Sequence, residues 1–104
     1  MKEHVFRLTE GTDLKTGIRE YCQTNRITSA CVICCVGCLT QISLRMAGGE
    51  VYFQDNNDRE IVSLTGTVSE HGVHFHISAS DVNGTTGGGH LKEGCIVGTT
   101  AEIV

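Results

Sequence analysis

The chain has 104 residues, enough for one compact domain with a real core and too few for two. Thirteen glycines without a proline point to tight turns and no rigid linker, and 39% apolar with 19% charged residues is an ordinary globular balance. A net charge of −4, with only eight scattered basic residues, argues against non-specific grip on phosphate backbones or anionic lipid.

In chain order, "HVFRLTE" alternates His4, Phe6 and Leu8 against Val5, Arg7 and Thr9 and reads as a half-buried first strand. "GTDLKTGIREYCQTN" changes period. Leu14, Ile18, Tyr21 and Cys22 recur at helical spacing, with Thr12 as N-cap and Asp13 in the first turn, and Gly17 weakens the helix. After Ile27 no second helix is expected. "ACVICCVGCL" and "TQISLRM" read as strands, "AGGE" as a turn and "QDNNDR" as a polar loop. "EIVSLTGTVS" is the next strand, turning at "EHG" into "VHFHISA", which closes at the turn "SDVNG". "CIVGTTAEIV" is the last strand. The layout is α+β: one main helix on a mostly antiparallel sheet, in a single domain spanning 1–104.

No continuous apolar run suggests an export signal or a membrane span, so a cytoplasmic protein with reduced cysteines is expected. That bears on the most conspicuous motif, two C-x2-C pairs formed by Cys31 with Cys34 and Cys35 with Cys38. On a helix the four thiols would share a face and could surround a metal. Val32, Ile33 and Val36 are β-branched and Gly37 is a poor helix residue, so the segment prefers an extended chain. A strand would turn Cys31 and Cys35 one way and Cys34 and Cys38 the other, and neither pair could chelate one ion. The four thiols, and Cys22 and Cys95 with them, are expected to act as small apolar core side chains.

The same alternation favours the histidines. His74 and His76 sit at i and i+2, on one face of a strand, and the turn from Ser80 to Gly84 can bring His90 back beside them. Three neutral imidazoles with an open fourth position suit Zn2+, and also Fe2+, Ni2+ or Co2+. Gly87, Gly88 and Gly89 would let backbone pack closely by the site. His4 and His71 are expected to be ordinary exposed histidines.

"FRLTEGTDL", "ITSACVICCVGCLTQISLR", "EIVSLTGTVSEHGVHFHISASDVNG" and "GGHLKEGCIVGTTAEIV" together make the chain resemble the PPC (plant and prokaryote conserved, DUF296) domain, a group often labelled DNA-binding proteins with a PD1-like motif. The resemblance implies a homotrimer whose fold is similar to that of acetolactate decarboxylase, with His74, His76 and His90 matching histidines that look metal-binding. It also implies an apolar strand at the cysteine segment. Two plant features are missing. The chain has no proline and so no AT-hook, and "DREIV", Asp58 to Val62, lacks the Phe and Gly of the segment that recruits transcription factors.

The leading expectation is a trimeric, metal-binding PPC protein acting as a small-molecule sensor or metal-dependent enzyme. The alternative is a DNA-associated oligomerisation module without AT-hook, for which no nucleic-acid-binding residue is assigned; a structural scaffold is the third reading. For an enzyme, Asp81, Glu60 and Glu102 are the acidic candidates for proton transfer, no catalytic residue is assigned, and Arg7 or Arg45 could orient an anionic substrate.

Overall fold

The computed structural model describes residues 1–104. Its elements are β1 (Phe6–Thr9), α1 (Leu14–Thr24), β2 (Ser29–Val32), β3 (Cys35–Arg45), β4 (Tyr52–Asp55), β5 (Arg59–Ser69), β6 (Gly72–Ser80), β7 (Thr86–Leu91) and β8 (Ile96–Ile103). Every strand pair is antiparallel, as expected for hairpin-connected strands. The order β1-β8-β3-β7-β6-β5-β2 folds back on itself, because β3 also pairs with β5 through Cys38 and Leu39. Strands β3, β7, β6 and β5 therefore form a small closed ring, with β4 on the free edge of β3's second half.

Alternation fills one side of this sheet with Leu64, Phe75, Ile77, Leu91, Val97 and Ile103, each 3% exposed or less. Burying Phe75 alone is worth about 2–3 kcal/mol. Helix α1 presents Leu14, Ile18 and Cys22 to that core, and Tyr21 stacks on Phe6 with ring centroids 3.7 Å apart. The helix begins one residue later than expected. Asp13, not Thr12, is the N-cap: its backbone is extended and its carboxylate accepts from the Thr16 N–H at 2.9 Å. The other carboxylate oxygen accepts from the Gly94 N–H at 2.6 Å, which ties the helix start to the β7–β8 connection. Gly17 has a packing reason, since a Cβ there would lie 2.8 Å from both Leu8 Cδ1 and Thr12 Cγ2.

The cysteine segment departs from expectation in two ways. It is two strands, not one, because the N–H groups of Ile33 and Cys34 both turn to the Val104 carbonyl, at 2.9 and 3.4 Å. Second, only Cys35, Cys22 and Cys95 are core residues; Cys31 and Cys34 are exposed and Cys38 is half-buried. Two more strands were not foreseen. β4 takes in part of the expected polar loop, and β7 is built from "TGGGHL". No helix is long and apolar enough to cross a membrane.

Candidate metal centre

Strand β6 sends Phe75 and Ile77 into the core, which leaves His74 and His76 together on the exposed face. The chain then reverses through a turn held by Asp81, whose carboxylate accepts from the N–H groups of Asn83 and Thr85 at 2.9 and 3.0 Å. β7 runs back along β6 in a register that sets His90 directly opposite His76. A glycine makes that pairing possible. A Cβ on Gly88 would run into the Ile77 carbonyl and come within 3.0 Å of Ser78 Cα, so a side chain there would push β7 off β6. Gly89 similarly packs on the Arg45 carbonyl, whereas Gly87 meets nothing within 4 Å.

The three imidazoles form one cluster. Ring centroids lie 5.1 Å (His74–His76), 5.2 Å (His74–His90) and 5.8 Å (His76–His90) apart, and the potential ligand nitrogens all fall within 4.8 Å of one another. His90 is half-buried, and its Nδ1 is fully buried without a hydrogen-bond partner. A buried polar atom without a partner is costly unless something completes it. Burial first, and then the charges of Arg45 and Lys15 and the neighbouring histidines, hold the His90 pKa below its ordinary value. The ring is kept neutral, the form that donates a lone pair.

Other sequence candidates stand elsewhere. Glu60 pairs with Ser80, four residues beyond His76 and so about 13 Å along the strand. Asp81 is occupied in the turn, and Glu102 lies between Arg7 and Val36 on β8. Arg7 donates to Thr100 Oγ1 at 3.0 Å. Only Arg45 reaches the histidines, as the direct cross-strand neighbour of His90. Two residues near it were not singled out. Lys92 follows His90 by two and could have been found by the same alternation, while Tyr52 lies on the unforeseen β4. His71 is exposed beside Glu70 as expected, but His4 is half-buried, with Nδ1 3.1 Å from the Tyr21 hydroxyl.

Residues 1–104 match the family described as the Plants and Prokaryotes Conserved (PCC) domain. The chain is 36% identical over 104 residues to the bifunctional protein GlmU of Synechococcus sp. (strain JA-3-3Ab), spanning all of this chain but only 17% of that protein's length. Among solved structures, a hypothetical protein from Salmonella cholerae-suis superposes with a TM-score of 0.92 at 35% identity, covering 96% of this chain and 72% of that one. A plant- and prokaryote-conserved protein from Pyrococcus horikoshii gives 0.78 at 31% identity, covering 96% and 73%. A metal-containing protein from Archaeoglobus fulgidus shares the fold, with a TM-score of 0.75 at 24% identity, covering 99% and 78%.

Proposed function

The chain belongs to the Plants and Prokaryotes Conserved domain family, and on that footing we propose that it binds one divalent metal, Zn2+ foremost, through His74, His76 and His90. One observation carries this reading: three imidazoles converge with their potential ligand nitrogens within 4.8 Å of one another, and His90 among them keeps a buried Nδ1 without a partner. The donor set fits the ion. Tetrahedral zinc wants nitrogens about 3.4 Å apart, and three neutral imidazoles with an open position are a familiar zinc set that Fe2+, Ni2+ or Co2+ also accept. The metal-containing protein from Archaeoglobus fulgidus lends support through its shared fold.

Bound there, the metal would supply Lewis acidity, activating a water or polarising a carbonyl oxygen. The chain's part is to fix His74 and His76 on β6 and to hold His90 neutral. None of Asp81, Glu60 and Glu102 joins the cluster within one chain, so the role is that of a small-molecule sensor or metal-dependent enzyme with no proton-transfer residue assigned. The working form is a cytoplasmic homotrimer. Exposed Ile33, Val36 and Val62 offer apolar surface for subunit contact. Direct DNA binding is disfavoured by the net charge of −4.

The test is elemental analysis of protein purified without a polyhistidine tag. Roughly one divalent metal per chain is expected, falling to near zero in a His74→Ala/His76→Ala variant. Metal retained by that variant would sink the assignment.

A further inference from the structure

One uncompensated cation, Arg45, stands beside the histidine cluster, and a second, Lys92, stands beside Arg45. Arg45 faces His90 across the β3–β7 pair, which puts their Cβ atoms about 5 Å apart on the same side of the sheet. Lys92 follows His90 by two residues, with fully buried Leu91 between them, so it emerges on the same side. Its ammonium sits 4.4 Å from the centroid of the Tyr52 ring. Tyr52 is Arg45's other cross-strand neighbour, on β4. The ring therefore holds Lys92 close to Arg45 instead of letting it extend into water.

Neighbouring like charges are unfavourable, and proteins usually offset them with a carboxylate. Here none does: the ion pairs involve Lys15, Arg19, Arg59 and His71, and neither Arg45 nor Lys92 has an acidic partner within 4.0 Å. Lys15 also contributes positive charge at His90, although Glu93, 3.9 Å away, offsets part of it. The three histidines bring no negative charge. A divalent metal on neutral imidazoles keeps its full charge, and with Arg45 beside it and Lys92 next in line a neutral or cationic ligand is poorly suited.

We infer that the open position at the metal takes a small oxyanion, carboxylate or phosphate, and that Arg45 and Lys92 bind it. This rests on the metal reading above. The guanidinium suits a planar or tetrahedral oxyanion through paired N–H donors, and the ammonium adds a point charge next to it.

Cobalt-loaded protein provides the test, because the visible bands of Co2+ respond to a change of ligand. Wild-type protein should shift its bands on titration with oxalate or inorganic phosphate, and not with neutral acetamide. Comparing the two anions tells carboxylate from phosphate preference. Arg45→Gln and Lys92→Gln should each keep roughly one cobalt per chain yet weaken the anion's apparent Kd about tenfold. Bound cobalt that ignores both anions overturns the inference, as does an anion Kd unchanged in both variants. A response to duplex DNA and to neither small anion overturns it too, in favour of phosphate-backbone contact. If cobalt fails to bind, its bands never appear; the metal reading then falls and takes this one with it, so the two failures are told apart.

Discussion

The segment Cys31–Cys38 crowds its metal-ligating side chains along the chain while His74, His76 and His90 are spread over two strands, and the fold treats them oppositely. In β6 the two-residue period puts both imidazoles on one face, and an adjacent strand adds the third. In the cysteine segment the thiols are spread over a strand break: Cys31 and Cys34 reach solvent while Cys35 enters the core. No group of three or more metal-ligating side chains converges there. Clustering along the chain is therefore a poor guide to clustering in space. The backbone period, and the strand that pairs across it, decide which side chains meet.

The sharpest way to break this contrast is to remove thiols and imidazoles separately. Metal content should vanish in His74→Ala/His76→Ala and stay unchanged in Cys34→Ser/Cys38→Ser, as read by elemental analysis. Loss of metal in the cysteine variant would mean that the two regions have been assigned the wrong way round. A second blow falls on the pairing itself. Gly88→Ala places a Cβ against the Ile77 carbonyl, and strain of that kind costs about 1–3 kcal/mol. A lower urea midpoint is expected, together with weaker metal binding, because β7 carries His90. Wild-type metal affinity in a destabilised Gly88→Ala protein would show that the β6–β7 register does not position the third ligand.

Much of this was legible because it is local. The i, i+2 spacing of His74 and His76, the Leu14–Ile18–Cys22 stripe and the "SDVNG" turn each declare themselves within a few residues. What escaped depends on partners far along the chain. The middle of β7 is glycine because Gly88 must press against Ile77 and Gly89 against Arg45, so a strand reads as a flexible glycine run. The break between β2 and β3 is set by the Val104 carbonyl, about seventy residues away, and no local pattern announces it. The cap shifted to Asp13 for a similar reason, since its carboxylate serves both Thr16 and the distant Gly94.

The cysteines can be sorted by chemistry as well as by burial. Burial pushes the thiols of Cys35 and Cys95 up to about 11, with the Cys34 thiol and Glu102 adding at Cys35. Cys31 and Cys34, both exposed, should react with a thiol-specific dye in the native protein, while Cys22, Cys35 and Cys95 react only after unfolding. Substitution should divide along the same line. Cys95→Ser alters a fully buried side chain whose sulfur accepts from the Ser43 N–H at 3.2 Å, and a cost of about 1–2 kcal/mol is expected. Cys31→Ser, at an exposed site, should stay within about 0.5 kcal/mol of wild type. Equal dye reactivity of all six thiols in the folded state would erase the distinction.

The smallest effect is the pH dependence that His90 contributes to the metal-free protein. Its folded pKa lies below the 6.5 of an unperturbed histidine, through burial first and then the positive charges of Arg45 and Lys15. Just below pH 6.5 the unfolded chain therefore holds a proton at His90 that the folded chain lacks. Stability must rise with pH across that window and become flat, as far as this group is concerned, above it. As the pH falls the loss continues down to the folded pKa and then levels off, because both states are protonated. Urea midpoints of metal-free wild type and His90→Gln, compared from pH 5 to 7, isolate the effect: the wild type should lose more stability on acidification. Arg45→Gln should shallow the wild-type slope without abolishing it, since burial is the larger cause. A slope that disappears entirely in Arg45→Gln would make charge the dominant cause; one identical to wild type would leave Arg45 without influence on the histidine it faces.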